Sequence, residues 1–142
     1  MSSKAEKAVA LHDRGYNCAQ AVACAFCEDF GIENEQMFQI AEGFGFGMGM
    51  MDMCGAVTGM IMVIGMENSI GDLEKGKATK GDTYKKVKEY VQKFKETNGA
   101  YYCRELKAKI DGKPMCSCET CIAVAAELAE QFLKENKKTD TI

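Results

Sequence analysis

Residues 43–59 read GFGFGMGMMDMCGAVTG, and this glycine-rich stretch, which leads into a cysteine and an apolar segment, decides the fold. Glycine at alternate positions allows backbone N–H groups to approach a bound group closely. The stretch contains no G-x-G-x-x-G pattern and no Walker lysine, so it does not indicate a nucleotide site. The alternative is a purely structural role, in which the glycines only permit close packing of helices. The candidate cofactor-binding glycines are Gly45, Gly47, Gly49 and Gly55.

The apolar segment at the end of this stretch predicts the buried centre of the fold. Asp52 is expected to cap a helix over residues 54–66, CGAVTGMIMVIGM, which is apolar nearly all round. Cys54 would then lie in the first turn, where free N–H groups and the helix dipole favour a thiolate over a thiol. Gly55 and Gly59 share one face of this helix, so another backbone can approach it closely. Such a face is also compatible with a homodimer.

Helical signals dominate the rest of the chain as well. The only proline is Pro114 and β-branched runs are few, so helices are favoured over sheet. Asn17 and Gln20 form a capping-box pattern, and Ser117 is the expected cap of the last helix. The expected helices cover residues 3–14, 18–30, a segment after 34, 54–66, a long segment ending at 98, 104–110 and a segment from 118, with a frayed tail from 134. We therefore predict a single all-α domain over residues 1–142, a compact bundle of about six or seven helices around the central helix.

Composition narrows the classes of function. A net charge of -3, a pI near 5.3 and dispersed basic residues give no indication of nucleic-acid binding. The longest apolar run, residues 60–66, is too short to span a membrane, and the charged N-terminal segment is unlike a signal peptide. We therefore expect a cytoplasmic protein. Eight cysteines in a reducing compartment favour metal binding or redox chemistry over structural disulfides.

Three of the cysteines, Cys18, Cys54 and Cys118, fall at the starts of predicted helices. Because helix starts stabilise thiolates, we expect these three to form one shared site. The chain also has two C-x-x-C pairs, but their spacing fits no zinc-finger, ferredoxin or thioredoxin pattern. Neither pair is followed by His, as c-type haem attachment requires. The single histidine, His12, lies on the charged first helix and is expected to be solvated.

Two motifs resemble those of a known family: NCAQAV at residues 17–22, and GMG at 47–49 followed by CGAVTG at 54–59. With the later cysteines they make residues 8–128 similar to the C_GCAxxG_C_C family, for which a redox role is inferred and whose members are typical of anaerobic microbes. The resemblance implies a small helical protein with four characteristic cysteines. Met53 stands where the family's name has a glycine. The four characteristic cysteines are Cys18, Cys54, Cys103 and Cys118, and the additional ones are Cys24, Cys27, Cys116 and Cys121.

The leading hypothesis is a redox or electron-transfer protein that binds an iron–sulfur cluster through the four characteristic cysteines and serves an unidentified partner protein. The second is a metal-free thiol–disulfide oxidoreductase, with Cys54 or Cys118 as the attacking thiol and Cys121 as the resolving thiol. The third is a structural zinc domain or a cysteine-rich assembly module. No acid–base pair can be read from the chain, so the sequence leaves open whether the protein is an enzyme.

Overall fold

The computed structural model describes residues 1–136, and helices form most of this part of the chain. The all-α prediction is confirmed. Residues 1–136 contain eight α-helices rather than six or seven, because the segment expected over residues 18–30 is interrupted at Ala25 and Phe26. The helices are α1 (Ser3–Asp13), α2 (Cys18–Cys24), α3 (Cys27–Phe30), α4 (Asn34–Ala41), α5 (Gly55–Asn68), α6 (Lys80–Asn98), α7 (Cys103–Leu106) and α8 (Cys118–Glu135). An antiparallel hairpin is formed by β1 (Lys109–Ile110) and β2 (Lys113–Pro114).

Helix α5 lies at the centre of the fold, as its apolar sequence predicts. It packs against α2, α6 and α8, and side chains from several of its faces, including Val57, Met60 and Ile64, are fully buried. Gly59 lies so close to α2 that a Cβ atom there would be 2.9 Å from the carbonyl oxygen of Ala19. The close approach expected at the glycine face is therefore made by α2 of the same chain. This packing brings the starts of α2 and α5 together.

Helix α8 is held against the core along its length. Its apolar stripe is buried against α1 and α5. Near its C-terminal end, Phe132 meets Tyr90 of α6 edge to face, with 5.2 Å between ring centroids. The Tyr90 hydroxyl donates a hydrogen bond to the Glu135 carboxylate. Full burial of one such aromatic side chain contributes about 2–3 kcal/mol, so these contacts hold the C-terminal part of α8 against α6.

A short antiparallel bridge joins the segment before α5 to the segment before α7. Met53 pairs with Tyr102 across this bridge. The backbone N–H groups of Cys54 and Cys103 donate to carbonyl oxygens of the opposite segment at 2.8 Å and 2.6 Å. The bridge thereby brings the segments that carry the two cysteines together, although they are far apart in sequence.

The expected cap of the central helix is wrong. Helix α5 begins at Gly55, and its N-cap residue is Cys54 rather than Asp52. Asp52 cannot serve as the cap because its backbone belongs to the bridge with the segment before α7. Its carboxylate lies 3.9 Å from the guanidinium of Arg104 instead.

The glycine-rich loop, which joins α4 to α5, has a tightly wound backbone. Residues 46–49 and Met51 have φ angles between 53° and 75°, in the left-handed region. At Phe46, Met48 and Met51 this conformation costs about 1–2 kcal/mol each, because their Cβ atoms crowd the following carbonyl. Gly47 is required sterically, since a Cβ there would lie 2.4 Å from the backbone nitrogen of Asp52.

Three other local expectations differ from the structure. Helix α7 ends at Leu106 rather than at residue 110, because residues 109–114 turn back as the hairpin. Asn34 is the first residue of α4, and Glu33 occupies the cap position that Asn34 was expected to fill. Helix α8 continues past Lys134 to Glu135, and the end of the expected frayed tail, residues 137–142, lies outside the described residues. Within residues 1–136 no helix combines the length and apolar character needed to cross a membrane.

Candidate functional site

The starts of α2, α5, α7 and α8 meet around one cavity of about 200 Å³. Six of the eight cysteines line it, and they come from four separate parts of the chain. The other polar lining residues are Asn17, the basic Lys107 and His12 of α1. The lining residues are His12, Asn17, Cys18, Phe46, Cys54, Gly55, Cys103, Leu106, Lys107, Cys116, Cys118 and Cys121.

Cys18 is placed by the capping box that the sequence predicts. Asn17 accepts a hydrogen bond from the Gln20 N–H at 2.9 Å, and the Gln20 side chain accepts one from the Asn17 N–H at 2.9 Å. The Asn17 amide also donates to the Glu42 carbonyl at 2.9 Å. A Cβ at Gly45 would overlap the Asn17 side chain, at 2.4 Å from its Cγ. The cap therefore fixes Cys18 and the start of the glycine-rich loop together.

The C-terminal cysteines are placed by the start of α8. Ser117 is its N-cap, and its hydroxyl accepts a hydrogen bond from the Thr120 N–H at 3.1 Å, as the sequence predicts. Cys118 is the first residue of the helix, and Cys121 follows one turn later. Cys116 lies in the preceding loop, where its N–H donates to the Leu106 carbonyl at 3.1 Å.

Cys118 is the sulfur best suited to carry negative charge. Hydrogen bonding with the Cys18 thiol, together with the positive charge of Lys107, lowers the pKa of Cys118 to about 5 against the opposing effect of burial. The same interaction raises the pKa of Cys18 above its ordinary range, so Cys18 holds the proton. Burial alone would lower the pKa of Lys107, but the sulfurs of Cys118 and Cys103 raise it. The three groups thus favour a thiolate–ammonium arrangement.

Cys54 is the second sulfur that the surroundings favour as a thiolate. Its pKa is lowered by hydrogen bonding with the Cys121 thiol and, against the effect of burial, by the N–H groups of Ala56 and Val57 at the start of α5. The pKa of Cys121 is raised by the same interaction. A helix start therefore stabilises the Cys54 thiolate, as the sequence predicts, although Cys54 is the cap itself. Burial raises the pKa of Cys103 and of Cys116.

Two side chains in the wall were missed by sequence reasoning. His12 is half-buried rather than solvated, and its Nδ1 lies 2.9 Å from the Tyr16 carbonyl oxygen. Since a carbonyl oxygen only accepts, Nδ1 is the donor of this hydrogen bond. No local pattern marks His12, because its role depends on how α1 packs. Lys107 was detectable in principle, since it follows Cys103 by four residues and so shares a helical face with it.

The remaining candidate residues, four glycines and two cysteines, lie in three places: the cavity wall, the glycine-rich loop and the core. Gly55 lines the cavity, whereas Gly45, Gly47 and Gly49 are not among its lining residues and instead form the loop that carries Phe46. Cys24 and Cys27 are buried in the core away from the cavity. Burial is the main cause that raises the pKa of Cys24 to about 12, so this thiol is held neutral.

The chemistry of the donor set fits a thiolate-ligated group. Soft thiolate ligands select iron–sulfur clusters, zinc or monovalent copper, and six cysteines far outnumber the other donors in this wall. A positive charge at Lys107 and the start of α5 would offset the charge of such ligands. As the side chains are placed, residues 1–136 contain no group of three or more Cys, His, Asp or Glu that could hold a single metal ion.

A comparison with protein families finds a match over most of the chain. The family model described as "Putative redox-active protein (C_GCAxxG_C_C)" matches residues 16–132. The chain belongs to this family. Membership of the C_GCAxxG_C_C family supports a redox-active, cysteine-rich, mostly helical protein. The matched residues include all four helix starts at the cavity. No curated protein and no solved structure is significantly similar to this C_GCAxxG_C_C protein.

Proposed function

We propose that this protein is a small electron-transfer protein whose iron–sulfur cluster is held by Cys18, Cys54, Cys103 and Cys118. One observation carries the proposal: these four cysteines come from the starts of four different helices, and all four line one cavity. A cluster occupies more space than a single ion, so its ligands can stand farther apart than those of zinc. Bound there, a cluster would supply one-electron transfer at a potential set by its surroundings.

The residues around the four cysteines support a negatively charged centre. Lys107 and the N–H groups at the start of α5 stabilise thiolate charge at Cys118 and Cys54. Phe46 and Leu106 contribute apolar surface that limits the access of water to the cavity. Phe46 also remains 52% exposed, so the wall of the cavity reaches the protein surface. An electron could therefore enter or leave on the side of the glycine-rich loop.

We propose a second protein as the donor or acceptor, and a cytoplasmic location. All eight cysteines are free thiols, which suits a reducing compartment. In this function the chain performs no acid–base catalysis. Its own residues bind and shield the centre and adjust its charge.

A metal-free thiol–disulfide exchange is the second candidate, and the lowered pKa of Cys118 favours it. A thiolate that forms at neutral pH is a competent nucleophile, and the Cys18 thiol is its hydrogen-bond partner. In this scheme Cys118 would attack a substrate disulfide, and a neighbouring thiol such as Cys121 or Cys18 would resolve the mixed disulfide.

The test is an anaerobic purification followed by absorption spectroscopy and assays for iron, zinc and acid-labile sulfide. We expect a brown protein with stoichiometric iron and sulfide, and the loss of most iron in Cys54→Ser. Cys24→Ala is the matched control, because Cys24 is equally buried but lies outside the cavity, and it should retain its iron. A colourless protein that takes up no iron on reconstitution would exclude the cluster and leave thiol exchange. Stoichiometric zinc would favour a structural zinc site.

A further inference from the structure

Two cysteines line the cavity in addition to the four assigned to the proposed centre. The Sγ atoms of Cys116 and Cys121 are 3.1 Å apart, and the Cys121 thiol donates a hydrogen bond to the Cys116 sulfur. Both side chains are buried, with exposed fractions of 8% and 2%. The pair therefore forms a dithiol beside the proposed centre.

Closing this pair into a disulfide needs only a small change in the sulfur separation. An S–S bond is about 2.05 Å long, so the two sulfurs need to approach by roughly 1 Å. Cys121 is fixed in the first turn of α8, where its N–H donates to the Ser117 carbonyl at 3.0 Å. Cys116 precedes the helix, and its sulfur makes only a 3.6 Å contact with the Ser117 carbonyl. The movement can be made at Cys116 without displacing α8.

Cys116 is also the member of the pair that a substrate can reach. Besides the cavity, it borders a shallow surface cleft whose other lining residues are Lys107, Lys109, Pro114, Ser117 and Cys118. Cys118 is one of the four cysteines assigned to the proposed centre, so with that centre bound Cys116 is the free thiol of the cleft. Two ammonium groups beside this cleft favour an anionic substrate. Cys121 does not border the cleft and lies behind Cys116. The arrangement matches an attacking thiol in front of a resolving thiol.

We propose that Cys116 and Cys121 form a second redox centre, a dithiol–disulfide pair that reduces small disulfides carrying carboxylates. The Cys116 thiol gives up its proton and the resulting thiolate attacks the substrate disulfide, so a mixed disulfide forms and the first half of the substrate leaves as a thiolate. The Cys121 sulfur then attacks Cys116, the Cys116–Cys121 bond forms, and the second substrate thiol leaves. Two electrons pass to the substrate, and the two protons of the cysteine thiols go to the two leaving thiolates. This activity goes beyond the proposed electron transfer, since it uses none of the four assigned cysteines.

The test treats the purified full-length protein with oxidised glutathione as the probe. Iron content, lost thiols and the disulfide-linked positions, located by peptide mass spectrometry, are measured on the same samples. We expect wild type to lose two thiols and to yield a Cys116–Cys121 disulfide. Cys121→Ser should accumulate glutathione on Cys116, and Cys116→Ser should form neither product. Cys116→Ser should keep its iron.

A Cys118→Ser background separates this proposal from the four-cysteine centre. Its tryptic peptide over residues 110–134 retains only Cys116 and Cys121, so the mass of that peptide reports their disulfide directly. We expect the Cys116–Cys121 disulfide to form in the Cys118→Ser variant even though this variant loses its iron. A disulfide that instead joins Cys118 to another cysteine in wild type, or iron loss in Cys116→Ser with unchanged helicity, would overturn the proposal. Absence of iron from wild type would leave this test intact while excluding the proposed cluster.

Discussion

At the scale of single residues, the charge of Cys118 depends on neighbours that lie on other elements. The Cys18 thiol at the start of α2 is the larger influence, and Lys107 just after α7 is the next favourable one. Both act only because packing brings α2, α7 and α8 together. The sequence indicates a helix start at Cys118, but it does not indicate these two partners.

This arrangement predicts the pH dependence of alkylation in iron-free protein. An ordinary cysteine has a pKa near 9.0, whereas the pKa of Cys118 is lowered to about 5. Its thiolate form therefore prevails above pH 5, and its alkylation rate by iodoacetamide should rise through pH 5 and level off by neutral pH. We expect Cys18→Ala to move this profile to higher pH, and Lys107→Gln to move it less far.

The alkylation rate of Cys118 at each pH is measured by peptide mapping of quenched samples. Lys88→Gln, at an exposed position on α6, controls for the loss of one positive charge. A profile for Cys118 that still rises between pH 7 and pH 9 in wild type would contradict the proposed thiolate. An equal shift in Lys88→Gln would show that net charge, rather than the Lys107 contact, is responsible.

At the scale of elements, local patterns were predictable and pairings between segments were not. Three features depend on one continuous stretch of sequence each, so the sequence indicates them correctly: the capping box of Asn17, the Ser117 cap and the apolar run of α5. The bridge of Met53 with Tyr102 involves one residue on each side and leaves no alternating pattern. That bridge displaces the expected cap at Asp52, and it is also what brings the segment that carries Cys103 to the segment that carries Cys54.

The packing of α2 on α5 predicts opposite effects for two glycine substitutions in one helix. At Gly59 a new Cβ would lie 2.9 Å from both the Ala19 carbonyl oxygen and the Val22 Cβ, so the two helices must separate. We expect Gly59→Ala to destabilise the protein by about 1–3 kcal/mol. Gly65 has no neighbour within 4 Å of the same position, so Gly65→Ala should stabilise α5 by about 0.5–1 kcal/mol.

Denaturant unfolding followed by circular dichroism measures both free energies. Because the starts of α2 and α5 carry Cys18 and Cys54, Gly59→Ala should also lower the iron content, whereas Gly65→Ala should leave it unchanged. Equal stabilities for the two variants would show that α2 does not lie against the Gly59 face.

At the scale of the whole molecule, the core and the cavity are built from different parts of the chain. The fully buried aromatic and branched side chains of α5 and α8 lie away from the cavity, while much of its wall comes from the glycine-rich loop and residues 101–118. Backbone hydrogen bonds such as that from the Cys116 N–H to the Leu106 carbonyl join one part of this wall to another. A ligand shared by four cysteines would therefore hold the wall together more than it holds the core.

We accordingly expect removal of iron under anaerobic conditions to loosen the wall while the core persists. Without the cluster, the segments that carry Cys54, Cys103 and Cys118 lose their common ligand, and neighbouring thiolates repel one another. Hydrogen exchange should become faster in residues 45–54 and 101–118, and α5 from Val57 onward and the C-terminal half of α8 should remain protected. Mass spectrometry of exchanged peptides from iron-loaded and iron-free protein measures the difference, with Cys24→Ala treated in parallel as the control. Uniformly faster exchange, including the core of α5, would instead mean that the centre stabilises the whole fold.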